Sequence, residues 1–333
     1  MSGVKRTCGV ALCTCNGAAY LRAQLDSLIE QSRPPDAISV SDDHSDDGTW
    51  AMLETWADDV RGRLGIRVLL HRNEIRVGVT RNFEIAINAL DTDFIFLADQ
   101  DDVWLGNKIE VLAACLEANS EVMLAHSDAH LVDSNNVDLG KSLYHSLYLT
   151  PVDNELVRQG RFFEVYCRRN LVTGTTTAFR RELLRVASPF PACYWLHDEW
   201  LAACAAAWKE VRMLPDKLTR YRQHGSNVVG VPKSKAGRVA KYVKRVLDTP
   251  RDNYLVIKAG RLDFLRRRLE QTGLASGGAL TLLAEAEGHF ARRKNFSKCM
   301  LPRMASIYRE YRSGGYARFA DGVAGVVRDV IHL

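Results

Sequence analysis

The first half of the chain alternates short apolar runs with amphipathic stretches. Gly9 to Leu12 and Phe94 to Leu97 are continuous in apolar residues and read as buried strands, with Ala37 to Ser41 and Ile66 to Leu70 as the strands between them. Between them the period changes to that of a helix. Residues 18–31 put Leu21 or Tyr20, Leu25, Leu28 and Ile29 on one face, and Pro34 and Pro35 stop the helix. Thr49 to Trp56 is helical, Asn82 to Leu90 aligns Phe83, Ile87 and Leu90, and Lys108 to Ala118 is helical again before a strand at Met123 to His126. Strands alternating with helices predict an α/β fold: a mostly parallel sheet flanked by helices, with right-handed crossovers.

The pattern loosens after residue 130. Residues 133–170 are polar, aromatic and poorly periodic, and read as loops that touch a substrate. Leu171 to Phe179 is rich in β-branched residues and reads as a strand, Asp198 to Trp208 as a helix, and Val211 to Leu214 and Leu218 to Tyr221 as short strands. A break follows at Val231-Pro232-Lys233. From Gly237 onward the chain reads as helical and basic, with Gly-rich breaks near 273–278 and 313–315. The expected organisation is one domain over 1–230 and a helical C-terminal region over 231–333.

Charge sharpens that division. Residues 231–333 carry 21 Lys and Arg against 9 Asp and Glu, whereas residues 1–230 carry 24 against 31. The basic runs at 261–268 and 292–298 read as solvated helix faces. Residues 316–331 place Phe319, Val323, Val326, Val327, Val330 and Ile331 on one stripe, which fits packing on the body, on a second subunit of a homo-oligomer, or on an anionic membrane surface. Nucleic acid is not an expected partner, since no recognised nucleic-acid motif is present. A hydrophobic fraction of 47% and a charged fraction of 26% are those of a globular protein. No apolar run approaches the ~20 residues of a membrane helix. With no secretory pattern at the N-terminus, the eight cysteines read as reduced thiols, and the expected location is cytoplasmic, with peripheral contact at the inner face of the plasma membrane as the variant. Cys13 and Cys15 lack the spacing and the second ligand pair of a zinc site.

The candidate chemistry is acidic. In FLADQDDVW, residues 96–104, an apolar strand ends in Asp99, Asp101 and Asp102. Carboxylates crowded at a strand end suit a hard cation such as Mg2+ or Mn2+ that bridges to substrate phosphates. For Asp102 capping of the next turn is the favoured role. SDDHSDDGT, residues 41–49, holds four acids at a second strand end; helix capping accounts for one or two of them, and contact with a nucleotide base or ribose for the rest. HDEW, residues 197–200, offers Asp198 or Glu199 as the carboxylate that deprotonates an attacking hydroxyl. YRQHGSNVVG, residues 221–230, adds His224. Trp104 and Trp195 read either as pocket walls or as core.

Together TCNGAAYLRAQLDSLIEQ, SDDHSDDGT, GVTRNF, ADQDDVW, HDEW and YRQHGSNVVG, in that order, resemble the family 2 glycosyltransferases of the GT-A fold, and the ADQDDVW form is similar to their bacterial rhamnosyltransferase-like branch. The likeness covers about residues 8–230. It implies a metal-dependent, inverting hexosyltransferase, with a nucleotide-binding half over about 1–105 and an acceptor half over about 106–230. It implies that Thr14, Cys15 and Asn16 line the nucleotide pocket, that Asp43 meets the pyrimidine, and that Arg81 and Asn82 lie near the diphosphate and sugar. Asp99 and Asp101 form the DxD signature, with Asp101 holding the metal and Asp99 on the ribose or the metal shell. Asp198 is the base with Glu199 as competitor, and His224 is a further metal or diphosphate contact. The implied donor is dTDP-L-rhamnose or a UDP-sugar, and the acceptor a hydroxyl of a surface polysaccharide or lipid-linked glycan. A sugar nucleotidyltransferase would need a Gly-rich, Arg-containing loop where TCNGAAYLR stands, and a non-catalytic nucleotide- or glycan-binding relative would lack the DxD acids or the base.

Overall fold

A computed structural model of the chain describes residues 5–147, 149–224, 249–320 and 322–331. The boundary expected at 230, the break at 231–233 and the end of the 221–230 segment lie outside the described residues. The chain divides into two compact units. One comprises Met1–Leu149, Val172–Ala205 and Glu210–Gly230; the other comprises Thr150–Leu171, Ala206–Lys209 and Val231–Leu333.

The first unit is built on β1 (Cys8–Thr14), α1 (Ala18–Ile29), β2 (Ala37–Asp42), α2 (Thr49–Leu64), β3 (Arg67–Arg72), α3 (Val79–Asn88) and β4 (Phe94–Asp99). Then follow β5 (Val103–Trp104), α4 (Lys108–Ala118), β6 (Val122–Val132), β7 (Asp138–Ser142) and α5 (Leu143–Leu147). Helices α6 (Pro151–Arg158) and α7 (Phe162–Tyr166) fall in the second unit. A 3-10 turn at Gly174–Thr176, β8 (Thr177–Arg180), α8 (Leu184–Ala187), α9 (His197–Trp208) and β9 (Glu210–Arg222) complete the sequence. Among the described residues the strands form one sheet ordered β3-β2-β1-β4-β8-β6-β9-β5, with β7 beside β6. β1 to β4 are mutually parallel and β8 runs antiparallel to both β4 and β6. Val10, Leu12, Ile38, Val40 and Phe96 from the strands meet Leu25, Leu28, Leu53 and Leu112 from the helices in one core.

Several elements depart from expectation for local reasons. The stretch 133–170 contains β7 and three short helices rather than loops alone; five to eight residues make too few turns to show a period. The strand expected at 171–179 is reduced to Thr177–Arg180, because Gly174–Thr176 winds into the 3-10 turn. The two short strands near 211–221 are one strand, β9. Pro215 lies inside it, where the pairing with β6 slips between Ser127↔Leu214 and Asp128↔Lys217, and that slip accommodates a residue with no N–H.

The second unit also includes α10 (Arg251–Thr272), α11 (Ala279–Lys294), α12 (Met300–Arg312), α13 (Gly315–Phe319) and α14 (Val323–Ile331). Its basic residues are not all solvated, contrary to the reading of 292–298. Arg293 is fully buried and donates to both oxygens of Asp329, at 2.7 and 3.1 Å. Arg251 Nε (2.9 Å) and the Tyr316 hydroxyl (2.6 Å) donate to the same carboxylate, and Arg303 Nε donates to the Asp329 carbonyl at 2.8 Å. The predicted apolar stripe is likewise split. Phe319 is buried and Val326 and Val330 are partly so, but Val323, Val327 and Ile331 face solvent. Helix α14 is therefore held by the buried Asp329, by Arg328 over the Tyr254 ring, and by Val326 and Val330 against Ile307, Tyr316 and Ala320.

Burial pushes the Asp329 carboxyl up, but Arg293 and the other donors outweigh it and hold it below the usual carboxylate range. Removing one member of a buried ion pair strands the other and costs about 3–5 kcal/mol. Asp329→Asn is expected to destabilise the C-terminal unit by about that amount, read as an earlier urea transition; an unchanged transition would refute the anchoring role. Because the folded value is lowered, the wild-type contribution is complete above the ordinary carboxylate range and disappears as pH falls through the lowered value.

Candidate active site

Register decides which side chains meet. Thr14 lies beside Asp42 on β2, and Cys13 beside Asp99 on β4, so the carboxyl ends of β1, β2 and β4 are level. The chain order reverses about β1, and open α/β sheets bind ligands at such a point. Polar side chains fill this edge and bind one another. Asp42 is buried and accepts from Thr14 Oγ1 (2.7 Å), Ser45 Oγ (2.5 Å) and Ser45 N (3.0 Å). Asn82, also buried, donates to the Ser41 carbonyl at 2.9 Å and accepts from Asn73 at 3.0 Å. Asp43 accepts from Asn73 Nδ2 (3.0 Å), Val77 N (2.7 Å) and Gly78 N (2.9 Å), which fastens the loop before α3 to the end of β2. A carboxylate can accept about four hydrogen bonds, so Asp43 retains capacity for roughly one more donor.

The β1 exit is clamped by a residue the sequence did not single out. Gln100 accepts from Cys15 N at 2.7 Å and donates to the Cys15 carbonyl at 3.0 Å. Gly17 permits this closeness: a Cβ there would lie 2.2 Å from Gln100 Oε1. Asn16 has φ +52° and receives Asp46 N on its own Oδ1. Asp47 accepts from Thr49 and from Ala18 N, whereas the N-cap of α2 is Gly48 with no side-chain cap. Arg81 is mostly exposed and tied to the buried Glu84 at 2.5 Å.

The acids after β4 sit in three different environments. Asp99 is half-buried at the end of β4; loss of hydration, with repulsion from Asp101 and Asp198, pushes its carboxyl up to about 8, and the Lys108 ammonium offsets part of the rise. Asp101 faces His224, with Oδ2 and Nε2 2.7 Å apart, and the imidazole stacks on Tyr20 at 4.9 Å. Asp102 is wholly buried and does not cap the next turn: its Oδ1 accepts the Arg222 N–H of β9 at 2.8 Å. Arg222 Nε donates to the Asp101 carbonyl at 2.7 Å and its guanidinium lies over Tyr20. Beneath them lies Lys108, fully buried, with Nζ 3.7 Å from the Trp104 ring centroid; it donates to the Thr175 carbonyl and, at 3.0 Å, to Thr219 Oγ1. Burial pulls the Lys108 ammonium well below its ordinary range, while Asp102 and Asp99 act to raise it.

The 3-10 turn links this cluster to α9. Gly174 N donates to Asp198 Oδ2 at 3.0 Å, while Asp198 Oδ1 accepts from Glu199 N at 2.7 Å. A Cβ on Gly174 would lie 2.8 Å from His197 Nε2. His197 is buried, stacked on Phe83 at 3.7 Å, and held neutral by burial with its pKa near 3. Trp104 and Trp195 are both buried, Trp195 packing edge-on against Trp200. Among the described residues no three Asp, Glu, His or Cys side chains form a complete metal-binding group. The structure thus gathers Thr14, Cys15, Asn16, Asp43 and Asn82 at the β1–β2 edge, and Asp99, Asp101, Asp198 and His224 at the β4 edge. Sequence reasoning missed Gln100, Lys108, Gly174 and Arg222.

The family model for glycosyl transferase family 2 matches residues 9–186, which includes both strand-end acid segments. The chain belongs to glycosyl transferase family 2. An uncharacterized glycosyltransferase of Haemophilus influenzae is 22% identical over 244 residues, 71% of either chain. The dTDP-rhamnosyl transferase RfbG of Shigella flexneri is 31% identical over 112 residues, 33% of this chain and 38% of RfbG. Among solved structures, TarS 1-349 of S. aureus with UDP-GlcNAc superposes with a TM-score of 0.53 at 16% identity, covering 97% of this chain and 90% of that one. PcManGT of Pyrobaculum calidifontis, a mannosyltransferase with GDP-Man and Mn2+, gives 0.50 at 18% identity, over 99% and 88%. These likenesses show the GT-A fold, and the protein is a glycosyltransferase with helices following the catalytic fold.

Lys108 faces Asp102 and Asp99, so Lys108→Met in this glycosyltransferase removes the cation that lowers Asp99. The acid limb of the turnover–pH profile is expected to move to higher pH, with stability reduced by about 3 kcal/mol. A profile that keeps its position would show that Lys108 does not set the charge of Asp99.

Proposed function

We propose that this glycosyltransferase moves a sugar, with inversion, from a nucleoside diphosphate to an acceptor hydroxyl, with Mg2+ or Mn2+ as cofactor. One observation carries the reading: Gly174 N of the 3-10 turn donates to Asp198, and the Thr175 carbonyl of the same turn receives Lys108, which faces Asp99, so the candidate base and a donor-side acid are tied to a single element. Asp198 would take the proton of the acceptor hydroxyl as that oxygen attacks the anomeric carbon from the face opposite the leaving group. Glu199 remains the competitor; its backbone N–H already serves Asp198.

The donor set suits a cation completed by substrate. Asp101 and His224 offer one carboxylate and one imidazole in contact, too few for an all-protein cage but in keeping with Mg2+ or Mn2+ that takes its other ligands from diphosphate and water. Asp101 and His224 would hold the ion, with Asp99 on the ribose or in the metal shell. Bound there, it supplies neutralisation of the charge that builds on the departing diphosphate. Thr14, Cys15 and Asn16 would border the nucleotide, the spare acceptor capacity of Asp43 suits a pyrimidine N3–H, and Arg81 and Asn82 belong to the diphosphate side, Asn82 by positioning rather than contact. The likeness to RfbG supports dTDP-L-rhamnose as donor, and a UDP-sugar is the alternative. The acceptor class is a hydroxyl of a surface polysaccharide or a lipid-carried glycan. We assign the chemistry to residues 1–230, nucleotide side first and acceptor side from about 106, and a non-catalytic role to 231–333.

A thermal-shift series with UDP, dTDP and GDP, each with Mn2+, Mg2+ or EDTA, tests the donor site. Ligand at about 100 times its dissociation constant adds roughly 2.7 kcal/mol to stability. A metal-dependent rise with dTDP or UDP is expected, lost in Asp101→Asn; no rise under any condition would sink the reading. In donor-turnover assays Asp198→Asn is expected to lose about 10²–10⁴-fold in kcat, with nucleotide binding retained. Loss in Glu199→Gln but not in Asp198→Asn would exchange the two roles.

A further inference from the structure

Helix α12, with sequence MLPRMASIYREYR, turns its polar and apolar residues in an unusual direction for a helix on a folded unit. Met300, Leu301, Met304, Tyr308 and Tyr311 are all exposed, Leu301 at 84% and Met300 at 68%. At 100° per residue these five occupy one continuous sector of the helix surface. Two of its charged residues are turned inward. Arg303 is buried on the Asp329 carbonyl. Glu310, the helix's one acid, is buried and accepts from Arg292 through both oxygens at 2.8 Å, with His289 Nδ1 2.6 Å away. Arg309 and Arg312 stay exposed beside the apolar sector.

Helix α14 packs against α12 and repeats the arrangement. Its exposed side carries Val323, Val327 and Ile331, and its acid, Asp329, is fully buried among arginines. Among the described residues, neither helix therefore shows an acid to solvent. Apolar and aromatic side chains flanked by cations, with every acid withdrawn, are the composition of a helix lying in the interface of an anionic bilayer. A contact between two protein copies would not require that the acids be removed, whereas a negative lipid surface penalises each one left facing it.

We propose that the exposed face of α12, with α14 beside it, is the surface by which this glycosyltransferase docks on anionic lipid. Methionine, leucine and tyrosine enter the headgroup region, and Arg309 and Arg312 meet lipid phosphates. The inference deepens the reading of a lipid-carried acceptor and rests on it for its purpose, since docking would bring the site to a substrate confined to the membrane.

The test is co-sedimentation of the full chain with phosphatidylcholine vesicles and with vesicles of phosphatidylcholine and phosphatidylglycerol, at low and high salt. Binding at least tenfold tighter to the anionic vesicles, weakened by salt, is expected. Met304→Glu with Tyr308→Glu should lower it at least tenfold, and Arg309→Gln with Arg312→Gln should remove most of the anionic preference. All four positions are exposed, so the fold is expected to survive, and an unchanged UDP or dTDP thermal shift in each variant checks this. Equal vesicle binding by wild type and Met304→Glu/Tyr308→Glu overturns the surface. So does a solution dimer, seen by light scattering, that this variant disperses while vesicle binding by the wild type is absent. Vesicle binding lost with the nucleotide shift intact locates the effect in docking. Nucleotide shift absent in the wild type, with vesicle binding present, refutes the donor reading and leaves the docking surface standing.

Discussion

Carboxylates crowded into a low-dielectric sheet edge repel one another and lose hydration, and an uncompensated buried charge costs several kcal/mol. Asp99, Asp101, Asp102 and Asp198 impose that constraint on the first unit, and much of its local architecture answers it. Lys108 is drawn beneath the cluster as a buried cation against Asp99 and Asp102. Arg222 spends its backbone N–H on Asp102 and its guanidinium on the Asp101 carbonyl, fixing the acid loop to β9. The 3-10 turn gives its Gly174 N–H to Asp198, while its Thr175 carbonyl receives Lys108. Even so the neighbouring acids and lost hydration hold the Asp99 carboxyl above its ordinary range. The repulsion that remains is what the cation of the proposed mechanism would relieve.

The neighbouring edge solves a different problem with the same residue types. Asp42, Asp43, Asn73 and Asn82 are each held by several hydrogen bonds from one another, from neighbouring hydroxyls and from the backbone, so they form a rigid wall. Pre-positioning of this kind lets a pocket bind without reorganising at the moment of contact. It also divides the acids of SDDHSDDGT by function: Asp42 and Asp47 hold loops, Asp46 is solvated, and Asp43 alone combines a structural duty with spare acceptor capacity.

How much of this was legible depended on whether the partner of a residue was near it in the chain. The four parallel strands and the helices before residue 130 were readable because the strands are apolar runs and the helices have one apolar face, and β1, β2 and β4 end within two residues of where those runs end. The acids announced themselves by composition alone. Lys108 did not: at the first turn of an amphipathic helix it reads as a solvated cation, and its acceptor Thr219 lies 111 residues away. Gln100 and Arg222 are anonymous for the same reason, bonding across 85 and 120 residues. A partial signal existed for Gly174, a glycine inside a β-branched run that usually marks close approach; only the structure identifies what approaches, namely His197. In the second unit the basic composition was plain, but composition cannot distinguish an arginine on the surface from Arg293, which is buried because Asp329 is there to receive it.

That last pair also bears on why α12 and α14 expose apolar side chains at all. Buried ion pairs contribute little net stability relative to well-packed hydrophobic residues, and a helix anchored only for stability would be expected to turn valine and leucine inward. Here Asp329 and Glu310 take the inward positions, while Val323, Val327, Leu301 and Met304 are left outside. The geometry spends packing to fix orientation: Asp329 has four side-chain donors converging from Arg251, Arg293 and Tyr316, which permits a single rotation of α14 about its axis. An arrangement that withdraws acids and presents apolar groups in a fixed orientation makes physical sense when the presented face has a counterpart of low dielectric and negative charge. The two units thus use buried charge in opposite ways, the first crowding acids together at the site, the second enclosing Asp329 and Glu310 so that neither α12 nor α14 presents an acid to solvent.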